Sequence, residues 1–514
     1  MALQLPAIAV VLLTHLRGPK NTSILLVTSR NAMKYGGVWR LQALLGVNVL
    51  VLADPKAIHH VIQQSAYDHP KTLQLRVTMF NLTGRSILWA PSGYSAFVVE
   101  GHSLCFGCVL SSHYSSALQT RSDVIHNQQT MYSVGSGQLS QLWKEQVLAG
   151  RLGGTTVQVH GRLARTTLDI IGEAAFGFDF GALDNTENEV SKAYHKMFAD
   201  SQLYPSVWSM VFQAMWSLIP EPLLFYIRYL PTRENARYRY TLKVMDKLSG
   251  KLIKERSREV AAGNPDVSRK DVLSLLVRAN MSESLKMRLS DEETRSQIGT
   301  MTLSGHETTT NTLTWMLWGL SKRVDIQDGL RGEIAEKRRE ISASGACDST
   351  LEDLESMPLL QAVIKETLRF HPIGSNIWCV ASKDDVIPLE KPILTRTGET
   401  ISEIPIAAGQ VVVTSFCSYN RIADVWGEDA HEWNPMRFVE RDTQKQTKVG
   451  MFANLWRFAV IEMQTLIVEL VENFKFSIPD DNADIIRTPT LTMGPMIKGR
   501  IHEGFQMLLH VVPV

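Results

Sequence analysis

Leu303-Ser304-Gly305-His306-Glu307-Thr308-Thr309-Thr310-Asn311-Thr312 sits inside an amphipathic helical pattern that runs from Ser290 to Lys322. A long helix ordinarily avoids such a run. Gly305 costs about 1 kcal/mol against alanine, and hydroxyls that bond back to the carbonyl four residues earlier bend a helix locally. One reading is an opened helical turn where a carboxylate, Glu307, beside an alcohol, Thr308, lines a small pocket and relays protons to a bound molecule. The other is a kinked core helix whose threonines satisfy themselves.

Outward from this stretch the chain reads mainly as helix. Amphipathic patterns run through 138–148, 162–175, 237–260, 326–342, 359–369 and 456–473. Strand-like runs are short: 47–52, 386–389, 411–415 and 506–512. The expected class is therefore mainly α with small β-sheets. No internal repeat occurs, and Walker A, GxSxG, HExxH and GxGxxG are absent, which removes the simplest phosphate-binding, esterase, zinc-protease and dinucleotide readings.

Lys and Arg total 53 against 52 Asp and Glu in 514 residues, a formal charge of +1, which speaks against a nucleic-acid reader. Five unevenly spaced cysteines do not make a disulfide framework, and a reducing compartment follows for the folded body.

Two further features carry chemistry. Glu366 and Arg369, spaced i, i+3, share one helical face. The same spacing at Glu255/Arg258, Glu292/Arg295 and Glu336/Arg339 reads as solvated pairs. The Glu366 helix differs, since it opens on the apolar run 359–364 and stops at Pro372, so this pair is expected to face inward. The aromatic and proline segment 426–438 holds Arg437, read either as an exposed loop arginine or as the third member of a buried cluster with Glu366 and Arg369.

The order GxETT, ExxR, PxRF resembles the cytochrome P450 family of haem-thiolate monooxygenases, membrane-bound type. Further matches are 169–177 (DIIGEAAFG), Ile404-Pro405 with Gly409, Tyr419-Asn420-Arg421, and Arg457-Phe458-Ala459 with Glu462. The likeness covers residues 33–89 and 138–514 and implies one large domain. It implies Glu307 and Thr308 as the proton-delivery pair, Ser304 and Gly305 on the oxygen-pocket helix, and Glu366, Arg369 and Arg437 as a structural triad. It also implies haem iron as cofactor, O2 and an apolar small molecule as substrates, and an NADPH-dependent flavin reductase as partner. The location implied is the endoplasmic reticulum membrane, with the catalytic body cytoplasmic.

The sequence departs from the family in two places. The FxxGxRxCxG loop whose thiolate holds the iron is expected between Phe438 and the last long helix, but residues 449–455 run directly into Trp456, and about a dozen residues are missing by that requirement. No axial ligand can be named. The last cysteine, Cys417, has the default reading of a small buried hydrophobe. In 90–137, serine-rich and nearly uncharged, Phe106 stands where the family has a haem-propionate arginine if Gly101-His102 starts that helix. Cys105 and Cys108 with His102 and His113 make a weak zinc candidate. Both departures suggest altered exon joining, and a catalytically inactive, haem-free variant is the competing reading.

Residues 1–13 are apolar except for Gln4, short of the roughly 20 that span a bilayer. Residues 1–16 read as a short membrane anchor or the remnant of one, Arg17 and Lys20 keeping the body cytoplasmic, or else as an apolar segment packed on the body. The apolar stretch 204–229, broken by Pro220 and Pro222, reads as two aromatic pieces that dip into an interface or as a core pair.

Overall fold

The computed structural model describes residues 36–42, 47–90, 137–145, 154–184, 188–194, 197, 212–213, 215–262, 271–281, 289–346, 349–395, 398–440, 457–479 and 484–514. The expected N-terminal anchor, the cysteine and histidine set with Phe106 in the atypical segment, and the 455–456 junction lie outside the described residues.

Eight helices carry the architecture: α1 (Leu73–Thr83), α2 (Val159–Ile171), α3 (Arg233–Ala261), α4 (Val272–Met281), α5 (Asp291–Lys322), α6 (Val324–Ala343), α7 (Pro358–Phe370) and α8 (Arg457–Asn473). The strands are β1 (Val38–Gln42), β2 (Asn48–Leu52), β3 (Thr155–Gln158), β4 (Asn376–Val380), β5 (Asp385–Leu394), β6 (Thr400–Ile406), β7 (Val411–Ser415), β8 (Phe474–Ser477), β9 (Ile485–Pro489), β10 (Met493–Ile497) and β11 (Leu508–Pro513). They form one four-stranded sheet in the order β1-β2-β7-β4, a three-stranded sheet β3-β11-β8, and two hairpins, β5-β6 and β9-β10. Small sheets at the margin of a helical body match the class expected from the periodicities.

Helix α5 is the spine. Ser290 caps it reciprocally with Glu293, so two of the orphan backbone donors at its start are met. Through its middle it buries residues on nearly every face, from Ile298 to Leu320, because α2, α7, α8 and β10 surround it. Close approach to α2 depends on Gly305, where a Cβ would fall 2.6 Å from Cγ1 of Ile171. Helix α7 opens on Pro358, whose missing N–H suits the first helical position. Its next two amides donate to Glu333 of α6, Leu359 N to Oε1 and Leu360 N to Oε2, each at 2.9 Å. A carboxylate borrowed from the neighbouring helix thus serves as the cap and complements the helix dipole.

No helix among the described residues is long and apolar enough to cross a membrane. In the described part of the second apolar stretch, Trp216, Leu224 and Ile227 are buried while Leu218, Leu223, Tyr226 and Tyr229 are exposed. The stretch is thus divided between core and surface.

Candidate functional site

The threonine-rich turn does not open the helix. α5 is unbroken from Asp291 to Lys322, which favours the reading in which its threonines satisfy themselves over that of an opened turn. The reason lies in the hydroxyls: Thr308 donates to the Ser304 carbonyl at 2.6 Å, Thr309 to Gly305 at 3.2 Å, Thr310 to His306 at 2.7 Å and Thr312 to Thr308 at 2.9 Å. Each hydroxyl shares its i−4 carbonyl with the backbone instead of displacing the N–H.

What the turn does is sort its side chains by direction. Ser304 is exposed and Thr308 half-buried, so together they form the open face. Gly305 lies against Ile171. His306 is buried beside the Tyr194 ring, 4.8 Å between centroids, with Nδ1 2.7 Å from the Thr302 carbonyl. Burial pushes its imidazole down to about 4, so it is neutral near pH 7.

Glu307 is buried, and its Oε1 accepts from Thr492 Oγ1 at 3.5 Å. Thr492 in turn accepts from Asn311 Nδ2 at 3.1 Å, and Asn311 Oδ1 lies 3.1 Å from His160 Nε2. Burial pushes the Glu307 carboxyl up to about 8, only partly offset by the Thr492 hydroxyl, so near neutral pH it carries a proton. No hydrogen bond joins Glu307 to Thr308; the first looks to the β10 side and the second to the open face. A second buried acid flanks the same turn. Glu462 of α8 lies with Oε2 3.2 Å from Thr309 Oγ1, sharing that hydroxyl with the Gly305 carbonyl, and burial raises it well above the usual carboxylate range.

The charge cluster forms behind this helix. Arg369 grips Glu366 through Nε–Oε2 and Nη2–Oε1, both 2.7 Å. Its remaining protons go to the carbonyls of Asn420 (2.5 Å), Ala430 (2.8 Å) and Glu432 (2.9 Å). All five guanidinium donors are thereby used. Glu366 Oε1 also takes the Asn434 amide at 2.7 Å, tying the irregular 426–438 segment to α7. Arg437 is buried and joins the cluster with Nε 3.5 Å from Glu366 Oε2, an ion pair without a hydrogen bond. Its close partner is Asp429, Nη1 to Oδ1 at 2.7 Å, and Nη1 also donates to the Trp426 carbonyl. Sequence reasoning missed Asp429, whose only signal is an acid eight residues before the arginine in a loop. The three solvated i, i+3 spacings form no pair of their own: Glu255 meets Lys251, Arg295 meets Asp246, Glu292 meets Arg85, and Arg339 donates to the Ala335 carbonyl.

A haem iron held by a thiolate needs an ionised cysteine. Among the described residues the cysteines are Cys379 and Cys417, both buried, and burial pushes both thiols up to about 11. Cys417 packs on Met493. Cys417 thus sits as the small buried hydrophobe of its sequence reading.

The cytochrome P450 family model matches residues 130–454. Among similar proteins, cytochrome P450 monooxygenase claP of Ampulloclitocybe clavipes is 28% identical over 97% of this chain and 93% of its own length. Cytochrome P450 monooxygenase 128 of Postia placenta is 30% identical over 93% and 86%. Ganoderic acid synthetase CYP5150L8 of Ganoderma lucidum is 27% identical over 89% and 85%. With the helical body, the marginal sheets and the buried Glu366–Arg369–Arg437 cluster, these likenesses assign the chain to the cytochrome P450 family of monooxygenases, oxidoreductases whose chemistry implies haem iron, O2, a small-molecule substrate and a redox partner.

Proposed function

We propose that the face of α5 carrying Ser304 and Thr308 is the oxygen side of the reaction site, where one oxygen atom from O2 is inserted into an apolar small molecule. The observation that carries this reading is the pairing of an accessible alcohol, Thr308, with a protonated acid, Glu307, one residue apart on an anchored helix. Haem iron would supply oxygen activation. The chain's own residues do the rest: Ser304, Gly305 and Thr308 border the reaction space, Thr308 Oγ1 holds a proton there, and Glu307 stores its replacement. Glu307 reaches that face by exchanging its Thr492 contact for one toward Thr308, a side-chain rotation. An acid poised near the working pH suits this task. The triad of Glu366, Arg369 and Arg437 fixes the chain path beneath and does not touch substrate.

Electrons come, on this reading, from an NADPH-dependent reductase. The exposed Leu218, Leu223, Tyr226 and Tyr229 would rest in an endoplasmic reticulum bilayer alongside the anchor at 1–16, with the body cytoplasmic. Flotation with lipid vesicles tests the contact: a chain lacking 1–16 stays partly bound, and complete release leaves the exposed set as ordinary surface.

A second reading starts from the cysteines of the sequence. None follows Cys417, and on this reading the ligand loop is absent between Leu455 and Trp456 and this form is haem-free and inactive. Reduced, carbon-monoxide-treated spectra decide between the two. A thiolate signature from the unmodified chain supports the active enzyme and calls for Cys417 to be mutated first. Its appearance only after a glycine-bearing, cysteine-containing loop is inserted at 455–456 supports the inactive form.

A further inference from the structure

A cavity of about 230 Å³ lies where α3 crosses the N-terminal half of α5, bordered by Leu82, Gly84, Arg228, Met245, Gly299 and Leu303. Its apolar wall is firm, since Leu82, Met245 and Leu303 are all buried. Gly84, at φ +75, carries the chain so close to α5 that a Cβ would lie 2.6 Å from Ser296 Oγ, and this closes one side.

The charges around the cavity are unevenly matched. Asp246 is taken by Arg295 Nε at 2.7 Å, and Glu292 lies 3.7 Å from Arg85 Nε. Both acids bordering the cavity therefore already have cations. Arg228 meets no carboxylate within ion-pair distance among the described residues. Its Nη2 donates to the Phe80 carbonyl at 3.3 Å, its guanidinium sits 3.7 Å over the Phe80 ring, and its buried Nε has no partner. Burial lowers its affinity for its proton, only partly offset by Tyr229 and by Glu292, which acts on it from beyond ion-pair distance, the mark of a cation held partly out of water. Lys243, also at the cavity, adds a second positive charge.

A half-desolvated guanidinium that no carboxylate contacts, beside an apolar wall, is costly unless an anion meets it. We propose that this cavity anchors an amphiphilic ligand, an elongated apolar molecule ending in a carboxylate, with Arg228 as the residue that selects the acid over its neutral analogue. The planar fork suits a carboxylate, and the stack on Phe80 holds the fork in place before binding. The apolar wall disfavours a small hydrated anion. Leu303 and Thr308 stand five residues apart, about 8 Å along the α5 axis and about 140° around it, so the cavity and the face that carries Ser304 and Thr308 lie on different sides of the helix. Recognition of the acid is therefore independent of the oxygen-site reading above.

Calorimetric titration of the full chain with dodecanoate and with dodecan-1-ol tests it. The acid is expected to bind about tenfold or more tightly than the alcohol, the worth of a charged hydrogen bond. Arg228→Gln should erase that preference and Arg228→Lys retain much of it. Leu303→Phe, which fills the wall, should weaken acid and alcohol alike and covers the case in which Arg228→Gln fails to fold. Equal affinity for the two ligands, an acid preference that survives Arg228→Gln, or binding untouched by Leu303→Phe would overturn the assignment. The titration needs neither haem nor turnover: acid-selective binding in a chain without a thiolate spectrum leaves the inference standing while the oxygenase reading fails, and the reverse result removes the inference alone.

Discussion

Glu366 and Arg369 meet through two parallel hydrogen bonds of 2.7 Å with no side-chain exposure on either partner. Removing one member of such a buried pair leaves an uncompensated charge, at about 3–5 kcal/mol. Glu366→Ala is therefore expected to collapse the yield of folded protein. Glu255→Ala, whose partner Lys251 is exposed at 4.0 Å, should cost less than about 1 kcal/mol. Urea melts of the two variants check this, and equal losses would remove the structural role of Glu366.

Asp429→Ala should fall between these. Arg437 keeps its 3.5 Å approach to Glu366 and its carbonyl partners, so the loss is that of its charged hydrogen bond to Asp429, about 1.5–3 kcal/mol, together with the bond that Asn434 Nδ2 donates to the same carboxylate at 3.0 Å. A loss as large as that of Glu366→Ala would make Asp429 the principal partner of the cluster.

Glu307 gives a pH signature. Its carboxyl stands at about 8 in the folded chain against an ordinary 4.5, so folding favours its protonated form. That contribution is complete below 4.5 and is lost as pH rises toward 8. Between pH 6.5 and 9, above the range in which His306 titrates, the wild-type chain should lose roughly 2 kcal/mol from this group. Glu307→Gln should flatten the slope, though not fully, because Glu462 is shifted the same way. Parallel slopes for wild type and variant would exclude a buried acid at 307.

Gly305→Ala should destabilise by about 1–3 kcal/mol, because the new methyl group meets Ile171. Ile171→Ala in the same chain should return part of that loss. A double-mutant cycle measures the coupling; additive losses would mean that the two helices do not meet there.

Thr308 and Thr310 separate chemistry from stability. Thr310 Oγ1 is buried against Thr167 Oγ1 at 2.7 Å, so Thr310→Ala should lower the melting temperature. Thr308→Ala removes only a half-exposed hydroxyl bonded to its own helix and should leave melting nearly unchanged. If Thr308 holds the proton, the same change uncouples NADPH consumption from product in any form of the chain that takes up haem. Unchanged coupling would end its assignment.

What was legible in the chain is what periodicity encodes. The pattern over 290–322 became Asp291–Lys322 with Ser290 as the cap, and 359–369 became Pro358–Phe370. The inward turn of Glu366 followed from the apolar start of its helix. Contacts made by loops were not legible. Asp429 reaches Arg437 across an irregular segment, and Thr492 reaches Glu307 from 185 residues away, at separations no local pattern records. Strand β10, Met-Gly-Pro-Met-Ile, carries two residues that ordinarily end strands. It forms nevertheless, because Gly494 lets the Phe505 ring lie against the backbone and β9 supplies the ladder.

The three-stranded sheet has β11 at its centre, pairing Leu508 with Gln158 on one side and Val512 with Lys475 on the other. In the order of synthesis, β3 leaves the ribosome roughly 350 residues before the strand that completes it. At about 5–20 residues per second it waits some 20–70 s with its ladder groups unanswered. The start of α2 shares that wait, since the Val159 amide is met by the Met507 carbonyl at 2.9 Å. During that interval the nascent chain shows other molecules an open strand edge, so its yield in a cell depends on what shields β3 as much as on the stability of the finished fold.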